Sequence, residues 1–141
     1  MKLRVTTEQD NVSGYVNCLP KSNIDDIAVD NECNEILALD LVNYFPSYLL
    51  YAVLQNYVKK LRHKGKIIIG GTDVMVLANE IICQRVNLIE ANEIIFGANN
   101  QPRKNGLVCL GDTVELLKSL GLKIITKKLE GFTFIIEAQR P

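Results

Sequence analysis

The sequence predicts an α/β domain built on a mostly parallel sheet, and two observations carry that prediction. Short β-branched runs alternate with helical patterns along the middle of the chain, which is how strands joined by crossover helices read. The closing segment, LKIITKKLEGFTFIIEAQRP, has two extended runs flanking Leu129-Glu130-Gly131 and so predicts a C-terminal antiparallel hairpin. A chain of 141 residues, 48% hydrophobic, is expected to form one domain spanning residues 1–141, because a chain near this size hides roughly 70% of its extended surface.

The elements follow in order. Lys2–Thr6 alternates weakly between polar and apolar and predicts a short strand, Gly14–Cys18 predicts a second, and the polar stretch TTEQDNVS lies between them. Asn23–Asp40 carries six acids and no base before closing in the apolar run Ile36–Leu39, which suits a buried strand. PSYLLYAVLQNYVKKLRHKG repeats Leu50, Val53, Leu54, Tyr57 and Leu61 at helical spacing. Pro46 fits a first turn, Lys59, Lys60, Arg62 and Lys64 suit the negative end of the helix dipole, and Gly65 is expected to supply a left-handed stop. Lys66–Ile69 reads as a core strand, and Thr72 or Asp73 is expected to cap a helix through Val74, Leu77, Ile81 and Ile82. NLIEANEIIFG suggests a further helical turn, Ala98–Asn105 a polar loop, and Gly111-Asp112-Thr113 the opening of a short helix ended by Gly121.

Composition narrows the function classes. Sixteen basic residues balance sixteen acidic ones without a basic run interleaved with aromatics, so nucleic acid is not an expected partner. Cys18, Cys33, Cys83 and Cys109 are far apart and His63 is the one histidine, which favours free thiols in a reducing compartment over a metal site. No apolar run reaches the roughly 20 residues of a spanning helix, and the N-terminus lacks a charged-then-apolar signal pattern. The expectation is a cytoplasmic protein with no membrane role.

Three landmarks in sequence order, KLRV, then Gly14-Tyr15-Val16-Asn17, then VDNECNEILA, resemble those of compact class I S-adenosylmethionine-dependent methyltransferases, whose members read KLNLGCG, GYxNVD and PDNSVDEILA. LRHKGKIIIGGTD is similar to that family's LKPGGKLxI segment, and LLKSLGLKII…GFTFIIEAQRP to its closing LLxxAGF…A-(K/R)-P. The resemblance covers essentially the whole chain and implies a truncated Rossmann-like methyltransferase fold.

It also implies a cofactor site whose physical requirements can be checked. A glycine turn after the first strand lets the backbone approach the cofactor, since a Cβ there collides or forbids the needed dihedrals. The matching positions here are Thr6, Thr7 and Glu8, and the first glycine of the chain is Gly14. The ribose-binding acid after the second strand falls on Leu19. Only LPKSNIDDIA separates GYVNC from the third landmark, which leaves no room for the family's next strand and adenine loop.

The expectation is therefore a methyltransferase-like protein without ordinary cofactor binding, acting through protein partners or assembly as a homo-oligomer or a complex. In the alternative, an active methyltransferase of a small molecule or glycan, S-adenosylmethionine is held through Gly14 and Tyr15, Asp25 or Asp26, and Ala38 to Asp40. Tyr44 is the candidate ligand contact. A sensor that binds a nucleotide-like ligand in the same cleft without turnover is a third possibility. The acids around Asp25 and Asp26 read more simply as a solvated face. Gly70-Gly71-Thr72-Asp73 lacks the spacing of a phosphate cradle, and His63 reads as a helix-end dipole partner. No residue is assigned a catalytic role.

Overall fold

The computed structural model describes residues 1–39, 41–97 and 106–141. Its centre is a six-stranded sheet formed by β1 (Lys2–Val5), β2 (Val16–Cys18), β3 (Cys33–Ala38), β4 (Leu61–Thr72), β5 (Lys123–Glu130) and β6 (Thr133–Gln139), in the order β2-β1-β3-β4-β6-β5. The first four strands are mutually parallel, while β6 runs antiparallel to both β4 and β5. This is the α/β architecture expected, with the hairpin turned at Gly131, whose φ of +57° a β-branched residue would resist. The expected polar loop Ala98–Asn105 lies outside the described residues.

Strand alternation sends one set of side chains into the core. Leu3, Ile36, Ile67 and Ala138 stand side by side across four strands and are fully buried. Helices α1 (Leu50–Lys60) and α4 (Leu110–Ser119) lie on this face, contributing Leu54, Tyr57, Val114 and Leu117 to the same cluster. Full burial of a side chain such as Leu54 or Ile67 stabilises the fold by about 1.5–3 kcal/mol. Helices α2 (Val74–Ile82) and α3 (Leu88–Phe96) form a smaller cluster of their own around Leu77, Val86 and Ala91, with Phe132 of the hairpin turn.

Among the described residues, the other sheet face has no such layer. Arg4, Leu37, Ile68 and Glu137 form the adjacent row, and all four are only partly covered. Parallel sheets normally carry helices on both faces. Here residues 6–15 and 19–32, which join β1 to β2 and β2 to β3, contain no α-helix, only the 3-10 turn Ile24–Asp26.

The long helix departs from expectation. It ends at Lys60, and Leu61 pairs with Cys33 as the first residue of β4. Five steps along β4, from Leu61 to Lys66, face two along β3, from Cys33 to Glu35, so Arg62–Gly65 bulge out of the ladder. The left-handed residue is Lys64 (φ +67°) rather than Gly65. Gly65 is needed for space: a Cβ there would come within 2.8 Å of the Arg62 carbonyl oxygen and 2.9 Å of that of Cys33. His63 accordingly leaves the helix, and its Nδ1 lies 2.7 Å from the Pro141 main-chain oxygen. Burial of Leu61 in the sheet outweighs the helical periodicity that suggested a continuous helix to residue 65.

Candidate functional site

Open α/β sheets bind ligands at the carboxyl ends of their strands, where the strand order reverses. In this sheet that point lies between β1 and β3, because β2 sits on one side of β1 and β3 on the other. A cleft of about 160 Å³ opens there, walled by Arg4 and Thr6–Glu8 on one side and by Leu37, Leu39 and Tyr44 on the other. Sites for small ligands occupy roughly 300–1,000 Å³, so this cleft is about half the size of the smallest of them.

The loop after β1 is held by its own side chains. The Arg4 guanidinium pairs with Glu8 at 3.0 Å and with Asp10 at 3.0 Å, and it also donates to the Asp10 carbonyl oxygen. Asn17 donates to that same carbonyl at 2.6 Å, and the Glu8 amide donates to Thr6 Oγ1 at 3.0 Å, closing a short side-chain turn. The Thr6 amide donates to the Cys18 carbonyl and so extends the β1–β2 ladder. The three positions that match the family's glycine turn therefore form a polar loop folded over Arg4, a residue that sequence reasoning did not single out. The alternation of Lys2-Leu3-Arg4-Val5 puts Arg4 on the open face and was the available signal.

The sequence-nominated residues do not converge. Tyr15 lies beside Lys2, whose ammonium sits 5.6 Å from the ring centre, and its hydroxyl donates to Glu35, an interaction that raises the phenol pKa. Gly14, in a left-handed turn at φ +86°, adjoins it at the same amino end of the strands. Asp25 pairs with Lys60 at 2.6 Å, beside the first residues of β3 and β4, and Asp26 shares its exposed turn. That end is separated from the cleft by about four strand residues, on the order of 13 Å. Ala38 is fully buried on the helix-covered face, and Asp40 lies outside the described residues. Of the set, Tyr44 lines the cleft.

The glycines after β4 serve packing. A Cβ on Gly71 would meet Asn43 Oδ1 at 2.8 Å, and one on Gly70 would press on Leu39 and on the Phe134 carbonyl at 3.1 and 3.2 Å. Asn43, 1% exposed, accepts from the Thr72 amide through Oδ1 and donates through Nδ2 to the Gly106 carbonyl, tying the ends of β3 and β4 to a distant loop. Asp73 is the cap of α2, accepting from the Met75 and Val76 amides. Among the described residues no group of three His, Cys, Asp or Glu side chains converges to hold a metal, and no described helix is long and apolar enough to cross a membrane. The cleft offers hydroxyls from Thr6, Thr7 and Tyr44 and a carboxylate, Glu8, that is already ion-paired.

No protein-family model and no curated protein matches this sequence. Solved structures do match the fold. A methyltransferase from Methanosarcina mazei described as S-adenosylmethionine-dependent superposes with a TM-score of 0.63 at 9% identity, covering 95% of this chain and 70% of that one. The magnesium protoporphyrin IX methyltransferase of Synechocystis, solved with bound S-adenosylhomocysteine, gives 0.56 at 12% identity over 90% of this chain and 51% of its own. A possible histamine N-methyltransferase from Thermotoga maritima gives 0.59 at 11% identity, with 90% and 64% covered. This chain has the class I methyltransferase fold in truncated form and spans about half the length of the Synechocystis enzyme.

Proposed function

We propose that this chain is a methyltransferase-like protein that does not hold S-adenosylmethionine in the ordinary way and acts instead through protein contacts or assembly. The observation that carries the reading is the Arg4 clamp. Its two carboxylates and the Asp10 carbonyl fix the loop where the fold's cofactor turn belongs, beside a cleft of about 160 Å³. Threonine and glutamate at residues 6–8 keep the backbone farther from any ligand than glycines do. Leu19, half exposed, supplies no carboxylate for a ribose.

The alternative of an active enzyme with an unorthodox site draws on Tyr15 and Asp25 together with Ala38, residues that stand at opposite ends of the strands or point into the core. A sensor that binds a nucleotide-like ligand without turnover needs the same cleft. Calorimetric titration with S-adenosylmethionine and S-adenosylhomocysteine tests the reading. No heat at millimolar ligand is the expected result. Micromolar binding would overturn it, and a methyl-transfer assay would then separate the enzyme from the sensor.

A further inference from the structure

The sheet face without helices is charge-complementary to itself. Across one row the open face presents Lys2, Glu35, Lys66 and Gln139, and across the next Arg4, Leu37, Ile68 and Glu137. The middle of the six strands falls between β3 and β4. A twofold axis running along the strands at that line exchanges β3 with β4, β1 with β6 and β2 with β5. It sets Glu35 against Lys66 of a second copy and Leu37 against Ile68.

We propose that two copies of this chain pair through their open sheet faces about this axis. Sheets packed face to face keep their strands roughly aligned, which an axis along the strands provides. Glu35 and Lys66 then find their opposites across the axis, and Leu37 and Ile68, partly exposed in the single chain, form the apolar centre. The second copy supplies the layer that parallel sheets otherwise take from helices. Lys66 already pairs with Glu137 within one chain at 3.2 Å, so in the dimer Glu35 joins an existing ion pair and makes a network.

The proposal deepens the assembly reading and rests on it, yet the two fail separately, because the titration reads cofactor binding and sedimentation reads the association state. Sedimentation equilibrium of the wild-type chain at micromolar concentration is expected to give a dimer. Glu35→Lys and Lys66→Glu each place like charges opposite each other twice per dimer, which should weaken association at least about tenfold. Mixing those two variants restores both pairs in the heterodimer and should recover wild-type affinity. A monomeric wild type, a dimer indifferent to both reversals, or a mixture that stays monomeric would each overturn the proposal. Circular dichroism confirms the fold of each variant. Should either charge variant fail to fold, oxidation of a mixture of Leu37→Cys and Ile68→Cys chains decides the matter. A 37–68 intermolecular disulfide in peptide mass spectra supports the arrangement, and its absence sinks it.

Discussion

The Arg4 guanidinium grips the Glu8 carboxylate at 3.0 Å four residues along the chain, on the rim of the cleft at the end of β1. The Arg4 side chain is 13% exposed, whereas those of Glu8 and Asp10 are 69% and 59% exposed, so a nearly buried cation anchors two wet anions. Water competes well for such anions, and pairs of this kind contribute about 0–1 kcal/mol. Arg4→Gln should therefore lower stability by about 1 kcal/mol or less while releasing the loop. Hydrogen exchange of the Thr6, Glu8 and Tyr15 amides, which donate to the Cys18 carbonyl, Thr6 Oγ1 and the Val12 carbonyl, should accelerate in the variant. Unchanged exchange would show that those bonds hold the loop without Arg4.

Asp73 binds two helices with one carboxylate. Oδ1 accepts from the Met75 and Val76 amides at the start of α2, while Oδ2 accepts from the Leu110 amide at 2.8 Å at the start of α4. The residue is 4% exposed, so Asp73→Ala leaves amides at two helix starts without their acceptor in a place water scarcely reaches. The lost cap and the stranded Leu110 amide should together cost about 2–3 kcal/mol. For a domain of this size that corresponds to a fall in Tm of about 7–10 °C. Asp73→Asn keeps one acceptor oxygen and should fall between the variant and the wild type in a thermal melt.

A cap at Thr72 or Asp73 was legible from the place of the pair between Gly70-Gly71 and an apolar helical run, but the second bond of Asp73 was not, because Leu110 lies 37 residues away. The strands were legible for the same local reason: Thr133–Gln139 and Lys2–Val5 alternate with period two, and Ile36–Leu39 and Lys66–Ile69 are short apolar runs. The end of α1 was not. Leu61 continues the helical stripe, and only its pairing with Cys33 turns it into a strand residue.

The open sheet face left a trace that single segments conceal. Residues 6–15 and 19–32 join parallel strands with no helical pattern, although such crossovers usually need a dozen or more residues and a helix. Counting those connections against the alternation of Lys2–Val5 would have put Arg4 on a face lacking its usual cover. The nominated residues failed to converge for a related reason. Gly14, Tyr15 and Asp25 were joined to Ala38 and Asp40 by their order in the family pattern, whereas strand direction places the first three at the amino end of the sheet.

Lys60 closes α1 with its side chain 5% exposed and bonded to Asp25 at 2.6 Å and to Asp30 at 2.9 Å. The hydrogen bonds that Lys60 donates to those two carboxylates, Asp25 first, raise the lysine pKa, and the bond to Asp30 holds that carboxyl below its ordinary value. A depressed carboxyl contributes stability that is fully present above its unfolded pKa of about 3.9 and is lost as pH falls through the lower folded value. A raised lysine contributes below about pH 10.4 and loses that contribution as pH rises through its folded value. Asp30→Asn should therefore be less stable than wild type at neutral pH, with the gap closing below about pH 4. Urea midpoints of both proteins measured from pH 7 downward check this, and a gap independent of pH would rule out the ion pair as its source.

Cys18 and Cys33 are buried while Cys83 is exposed, and this should govern thiol chemistry. Burial, with the nearby Cys33 acting in the same sense, pushes the Cys18 thiol up to about 11, against the opposing pull of a hydrogen bond from Tyr57. At pH 8 only about one Cys18 in a thousand is then thiolate, the reactive form. Burial likewise raises the Cys33 thiol. An aromatic disulfide reagent added to the folded protein should modify Cys83 quickly and the partly covered Cys109 more slowly, with all four thiols reacting after denaturation. Cys83→Ser should remove the fast phase. Rapid native labelling of Cys18, located by peptide mass spectrometry, would mean that the layer between α1 and the β1–β2 edge opens far more readily than its packing against Tyr57 implies.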